Sequence, residues 1–482
     1  MQMEKRSEIF NEIEGIVHAK SLALIGDSPS GGLYWLRSIV ESGFEGAFYP
    51  VNPSVESAFG FKFYKSLLDV PGDVDLVIVR VPAAVVPDVV KESIMKNAKG
   101  VVVFSSGFSE NSEEGAELEK KLVQMLRGTR TRIIGPNCMG IYCSENKLSF
   151  RPDISMDPGP VGFISQSGGH AIHFALVGKA IGLHYSKIFS YGNACDLDSP
   201  DFLEYLAEDE KTKVIGMYIE GIKNGERLIC ALKKAANKKP VVVWKGGRSE
   251  AGARAVASHT GSLSGSAKIW DSVFKQTGVV TVKGLDELLD TISVFVSCPP
   301  TTNENVGLVS ISGGSSVSNT DFCIEEGLSV PELSYETKER LNGFVQNIGT
   351  SIKNPLDLAG SYNYPGVLEN VLGILGEDQN IGSVMFEVQV HYPSLIEKLL
   401  DAPVSSYIYG SMVEGCKKIR DKSNKPCLII LPRTSYEEAL ITARKLFINA
   451  GFPVFLNIAS AAKALHNTIK YFKRNEEQVS FI

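Results

Sequence analysis

At 482 residues the chain exceeds the length over which one hydrophobic core keeps growing, so several domains are expected, with three as the working number. Apolar residues make up 44% and charged residues 22%, and the formal net charge is −6. This is an ordinary globular composition; it excludes a disordered or collagen-like chain and provides no basic footprint for nucleic acid or an anionic membrane surface.

Short Val/Ile-rich runs alternate with longer helical patterns and many of the runs end in glycine, as βα units of a buried parallel sheet do. The first set predicts strands at Leu22–Ile25, Ala47–Val51, Leu76–Val81, Val101–Phe104 and Arg132–Ile134, a Rossmann-like domain over 1–146. The second predicts Val161–Ile164, Lys187–Ser190, Val214–Ile219, Val241–Trp244 and Val279–Val282, a flavodoxin-like domain over 147–298. A polar, proline-bearing linker at 298–303 precedes the third set, Val306–Ile311, Ser383–Val388, Cys427–Leu431 and Pro453–Leu456, a flavodoxin-like domain over 299–482. The expected fold class is therefore α/β, with three Rossmann/flavodoxin-like domains of mainly parallel sheets. No repeat stands out among them.

Met1–Gly15 mixes charges without an apolar signal region, and no later stretch has the unbroken apolar length of a membrane span, so a cytoplasmic location is expected. Eight scattered cysteines without a C-x-x-C pair read as reduced core thiols rather than zinc ligands or disulfides.

The first strand runs into Gly26-Asp27-Ser28-Pro29-Ser30-Gly31-Gly32, a turn suited to bring amides up to a pyrophosphate. It is neither G-x-G-x-x-G nor a P-loop, and the second strand ends in Asn52-Pro53 where a nicotinamide enzyme would carry an acid for the ribose. Three more segments end predicted strands: Val81-Pro82-Ala83, Ser105-Ser106-Gly107 and Gly135-Pro136-Asn137-Cys138-Met139-Gly140. This series resembles the CoA-binding domain of succinyl-CoA synthetase α-subunits and of ADP-forming acetyl-CoA synthetases. The resemblance implies CoA diphosphate at Gly26 and Ser28, pantetheine passing Val81, Pro82, Ser105, Ser106 and Gly107, and the thiol end near Asn137. Asp27 departs from the pattern and is expected to put a negative charge close to the CoA phosphates.

In the second domain, Phe163-Ile164-Ser165-Gln166-Ser167-Gly168-Gly169 leads a strand into a helix through small residues, leaving amide donors and a positive helix end for an anion. Further on, His259 lies in a Gly/Ser/Thr-rich stretch expected to be a loop, with Lys245, Arg248 and Arg254 nearby to offset phosphate charge. Neutral imidazole is a good nucleophile and leaves phosphorus readily once protonated. A carboxylate on its other nitrogen would fix the tautomer, and Glu220, at a strand end, is the candidate. His170 and His173 share a helical face but lack a third ligand, so they read as structural and no metal site is expected.

Four ordered motifs, Ser165–Gly169, Tyr191–Asp196, Tyr218–Gly221 and Lys245–Arg248 leading to Ser258–Gly261, resemble those of the ADP-forming acyl-CoA synthetase α-subunit. The resemblance implies a phosphorylated His259, Glu220 as its stabilising partner, and Ser167, Gly168 and Gly169 as the phosphate cradle. It gives Asn193 and Asp196 a part in shaping the site. The span 299–482 resembles the extra C-terminal domain of such enzymes and receives no catalytic residue.

The expected function is that of the CoA-binding, phosphohistidine-carrying α-subunit of a reversible NDP-forming acyl-CoA synthetase. With no P-loop or ATP-grasp-like segment, ADP/ATP and Mg²⁺ are expected on a separate ATP-grasp β-subunit, in an α2β2-type hetero-oligomer. The alternatives are an inactive CoA-binding, sensing or scaffold protein of the same fold, or a NAD-dependent oxidoreductase.

Overall fold

The structure, a computed structural model, describes residues 6–260, 265–345, 349–359 and 365–480, apart from the side chains of 257–260, 365 and 478–480. It is a mixed α/β protein that divides into two compact units, Met1–Leu285 and Asp286–Ile482.

The first unit holds two large sheets. One comprises β1 (Ser21–Ile25), β2 (Ala47–Val51), β5 (Leu76–Val79), β6 (Gly100–Val103) and β7 (Arg132–Ile134), with a small hairpin β3 (Ser57–Ala58) and β4 (Phe61–Lys62) beside it. Its order is β2-β1-β5-β6-β7, all parallel. The other comprises β8 (Gly140–Cys143), β9 (Pro158–Ser165), β10 (Tyr185–Ser190), β11 (Val214–Ile219), β12 (Val241–Lys245) and β13 (Val280–Val282). Its order is β13-β12-β11-β9-β10-β8, with β8 an antiparallel edge. The second unit is built on β14 (Val306–Ser310), β15 (Leu356–Asp357), β16 (Ser383–Glu387), β17 (Cys427–Ile430) and β18 (Val454–Phe455), in the order β15-β14-β16-β17-β18.

Leaving aside β8 and the hairpin, each sheet has the flavodoxin strand order, with the first and third strands adjacent. The central strands β5, β6 and β11 are buried at every position, because helices cover both faces, and this is why they read as unbroken apolar runs. Helix boundaries follow the caps. Ser112 Oγ accepts from Gly115 N at 3.1 Å to start Glu113–Met125, and Asp198 with Asp201 forms a capping box for Ser199–Glu208.

Every predicted strand is present with its ends within three residues, while β8, β15 and the β3–β4 hairpin went unread in the sequence. No helix among the described residues is long and apolar enough to cross a membrane. All eight cysteines are free; five are buried, whereas Cys230 is exposed and so is not a core thiol. Burial pushes the Cys138 thiol up to about 12 and Cys143 to about 11.

Candidate active site

In a sheet of this order the helices after the first and third strands leave on opposite faces, so a crevice opens beyond those two strand ends. In the first sheet the pair is β1 and β5. Gly26, directly after β1, has φ +86°, and a Cβ there would lie 2.5 Å from the Arg80 carbonyl oxygen, so glycine is required. Asp27 corrects the sequence expectation. It is 1% exposed and turned inward, accepting from Leu36 N at 2.9 Å and pairing with an Arg80 guanidinium nitrogen at 2.8 Å. Its charge is therefore neutralised inside the loop. Arg80 also lies 3.0 Å from where a Gly31 side chain would begin, which puts a partly exposed cation beneath the turn. Sequence reasoning missed Arg80, although it directly precedes Val81-Pro82. Asn52 donates to the Asp27 carbonyl at 2.9 Å, so the end of β2 is an amide tied into the loop. Ser28 is half-buried, its hydroxyl 2.9 Å from that of Ser30.

The neighbouring strand ends are fastened to one another. Ser105 Oγ donates to the Val81 carbonyl at 2.5 Å, and Ser106 is exposed. Gly107 N donates to Glu110 Oε1 at 2.6 Å, and Asn137 N donates to the Ser105 carbonyl at 3.0 Å. Asn193, from the segment after β10, reaches across to this edge. Its amide donates to Glu110 Oε2 at 2.5 Å, Glu119 Oε2 at 3.2 Å and Ser109 Oγ at 3.3 Å, while Asn137 Nδ2 approaches its Oδ1 at 3.4 Å. Asp196 takes two bonds of 2.9 Å from Arg132 and one of 2.8 Å from Ile133 N. Asn193 and Asp196 thus join the two sheets of the first unit.

In the second sheet the crevice lies between β9 and β11. Ser167 caps the helix Gly168–Ala180, its hydroxyl accepting from His170 N at 3.3 Å, and the first amides of that helix have no intrahelical acceptor. Gln166 Oε1 bridges to the next strand end, accepting from Glu220 N at 2.8 Å and Gly221 N at 3.0 Å. A cavity of about 220 Å³ is lined by Asn137, Met139, Ser167, Gly168, Gly169 and Gly192, with Phe104 and Ile172 among the apolar walls. The residue expected at the CoA thiol end and the expected phosphate cradle therefore face one space.

Glu220 is 5% exposed and accepts from the Tyr218 hydroxyl at 3.0 Å. Burial raises the Tyr218 hydroxyl pKa above its ordinary value, with the Glu220 charge adding to the rise. Lys245 donates to the Glu220 carbonyl at 2.7 Å; burial pulls its ammonium down to about 8, opposed by Glu220. Arg248 is engaged by Asp271 through contacts of 2.7 and 2.9 Å, and Arg254 is exposed. The His170 ring packs 4.3 Å from Tyr218 and 4.4 Å from Trp244, and burial lowers its pKa against the pull of Glu220. His259 falls in the last turn of the helix Glu250–Thr260, rather than in the expected loop, and its side chain lies outside the described residues. Among the described residues, His18, Cys143 and Glu145 bring possible ligand atoms within 4.8 Å, a cluster not foreseen in the sequence. The buried Lys187 already holds Glu145 at 2.8 Å.

Two domain families match this architecture. Residues 20–144 match a CoA binding domain, and residues 158–295 match a succinyl-CoA ligase like flavodoxin domain. The chain is 39% identical over 378 residues to the acetate–CoA ligase [ADP-forming] I subunit alpha of Pyrococcus furiosus, covering 75% of this chain and 80% of that one. It is 36% identical over 422 residues to acetate–CoA ligase [ADP-forming] I of Archaeoglobus fulgidus, covering 86% of this chain and 61% of that longer protein. A solved structure of the dinucleotide-forming acetyl-coenzyme A synthetase 1 of Ca. Korarchaeum cryptofilum, in complex with phosphate and ADP, superposes with a TM-score of 0.84 at 26% identity, covering 98% of this chain and 99% of that one. The chain belongs to the ADP-forming acetate–CoA ligase α-subunit family, within the ADP-forming acyl-CoA synthetases.

Proposed function

We propose that this chain is the CoA-binding, phosphohistidine-carrying subunit of a reversible acid–thiol ligase. In the first step inorganic phosphate attacks the acyl-CoA carbonyl; the C–S bond breaks and CoA leaves as the thiol, giving an acyl phosphate. His259 then takes the phosphoryl group, releasing the carboxylate, and passes it to ADP to give ATP. Gly26, Ser28, Val81, Pro82, Ser105, Ser106, Gly107 and Asn137 would hold CoA, Ser167, Gly168 and Gly169 the phosphate, and Glu220 would steady the His259 imidazole.

The observation that carries this reading is the shared cavity in which Asn137 meets the Ser167–Gly169 turn. An acyl phosphate formed there would lie against amide donors at a helix start, where developing negative charge is best held. Gln166 ties that turn to the Glu220 strand end, so the cradle and the carboxylate are fixed together. We assign ADP and Mg²⁺ to an ATP-grasp partner in a hetero-oligomer and place the complex in the cytoplasm; the subunit names of relatives support a partner. We keep 1–146, 147–298 and 299–482 as its functional divisions.

Incubation with that partner and [γ-³²P]ATP should give acid-labile, base-stable label on this chain, absent from His259→Ala. Label that persists in His259→Ala would refute the assignment.

A further inference from the structure

Lys245 closes β12 beside Glu220 and is 3% exposed. Its Nζ donates to the main-chain carbonyls of Glu220 and Gly246 and lies 5.0 Å above the Trp270 ring. Among the described residues it makes no ion pair. Buried ammonium groups are ordinarily matched by a carboxylate, because neutral carbonyls satisfy the donors without cancelling the charge. A lysine also has three donors, of which the carbonyls use two.

The surroundings account for the other charges. Glu220, directly after β11, favours the protonated form of Lys245, and Arg248, in the turn after β12, disfavours it. Arg248 itself is bonded to Asp271. Tyr218, on β11, gives its hydroxyl to Glu220, and the helix Ala267–Thr277 sets the Trp270 ring against the Lys245 ammonium. His170, from the helix Gly168–Ala180, is coupled to Glu220. Among the described residues, a buried cation is therefore bonded to neutral carbonyls at the end of β12, the strand beside β11, whose own end Gln166 ties to the phosphate cradle.

We propose that the Lys245 ammonium is an anion-binding group of the phosphoryl-transfer site, holding the phosphoryl group beside Glu220 while its other donors lock the Glu220 main chain. This rests on the reading that a phosphoryl group passes through this site. Lys245 keeps its proton throughout; it offsets the repulsion between the Glu220 carboxylate and an incoming phosphoryl anion.

The test uses the full chain and [³²P]acetyl phosphate, following the initial rate of label incorporation from pH 6.5 to 10 in the unaltered protein, Lys245→Arg and Lys245→Met. In the unaltered protein the rate should fall above about pH 8, approaching tenfold per pH unit as the ammonium is lost. Lys245→Arg, which stays charged, should move that limb upward by at least about one pH unit. Lys245→Met should label about a hundredfold more slowly with no limb near pH 8. If Lys245→Met fails to fold by circular dichroism, the position of the Lys245→Arg limb decides. The proposal is overturned if Lys245→Arg leaves the limb in place, or if a folded Lys245→Met labels at the normal rate. Absence of label in the unaltered protein would overturn the phosphohistidine reading as well, whereas indifferent Lys245 variants in a labelling protein overturn this proposal alone.

Discussion

Asn193→Asp is a nearly isosteric change with a calculable cost. The Asn193 amide nitrogen lies 2.5 Å from Glu110 Oε2 and 3.2 Å from Glu119 Oε2, so the variant would place a third carboxylate against two. Two unit charges about 3 Å apart at an effective dielectric of about 20 repel by about 5 kcal/mol, which is an upper bound. Sharing of a proton among the three groups brings the expected loss at pH 8 to about 2–4 kcal/mol. Lys223, 3.4 Å from Glu119 but more than half exposed, offsets little of this. The sign with pH is fixed. In the unaltered protein burial acts to raise the Glu110 pKa, but the bonds from Asn193, Gly107 and Phe108 outweigh it and hold the carboxyl below its ordinary value. That contribution is present above the unfolded pKa and is lost as pH falls through the folded one. In Asn193→Asp the clustered carboxyls have folded pKa values raised above the unfolded ones, so the deficit is full at high pH and shrinks as pH falls. The two stability curves should therefore converge between pH 8 and 5. Urea unfolding followed by tryptophan fluorescence isolates the relevant unit, because Trp35, Trp244 and Trp270 all belong to Met1–Leu285. Asn193→Ala, which adds no charge, should lose about 1–3 kcal/mol with little change between pH 8 and 5, its deficit shrinking only at lower pH where Glu110 is protonated in both states. The reasoning fails if Asn193→Asp is no less stable than Asn193→Ala at pH 8, or if its deficit does not shrink toward pH 5.

Glu220→Gln should leave the thermal midpoint nearly unchanged and lower phosphohistidine formation about ten- to a hundredfold, read as label per chain at a fixed time. Gly192→Ala should destabilise the first unit by more than about 2 kcal/mol in urea titration, since its Cβ would lie 2.2 Å from the Pro136 carbonyl oxygen at a positive φ. The cavity of about 220 Å³ has room for roughly seven water-sized groups, about the size of acetyl phosphate. Met139→Ala, which removes the wall against Gly168, should therefore raise kcat/KM for branched or longer acyl-CoA relative to acetyl-CoA in a substrate panel.

The strand ends that form the site were legible because runs such as Leu76–Val79 and Val214–Ile219, buried on both faces, stop abruptly at glycine, proline or polar residues. The orientation of Asp27 was not, since its partner Arg80 is 53 residues away and composition gives the sign of a charge but not where it points. The Gly/Ser/Thr content around His259 suggested a loop, yet Ala251, Ala253, Ala255 and Ala257 favour continuing the helix to Thr260. That Lys245 makes no ion pair among the described residues depends on which carboxylates lie within reach in three dimensions, so no local pattern could reveal it. Strands β8 and β15 escaped notice because one is an antiparallel edge that follows a turn and the other is two residues long.

A repeat that reading along the chain did not reveal becomes visible in strand register. Ser165-Gln166-Ser167-Gly168-Gly169 follows β9 into its helix as Ser310-Ile311-Ser312-Gly313-Gly314 follows β14 into the helix Gly313–Glu325. Ser167 and Ser312 each accept from an amide three residues on. Ser165 pairs with Tyr218, and Tyr218 in turn with Trp244. In the second unit Val309 pairs with Phe386, and Glu387 with Ile430. Carried forward, this register sets Gln389 where the first unit has Glu220, and Leu431 where it has Lys245. The serine–glycine turn therefore recurs with the fold, whereas the acid and the ammonium do not. A fold alone assigns no chemistry, and a helix start offers amides to any anion. What separates the β9–β11 crevice from its counterpart is the Glu220 carboxylate after β11 and the Lys245 ammonium at the end of β12, and the phosphoryl-transfer proposal therefore rests on these two groups more than on the cradle.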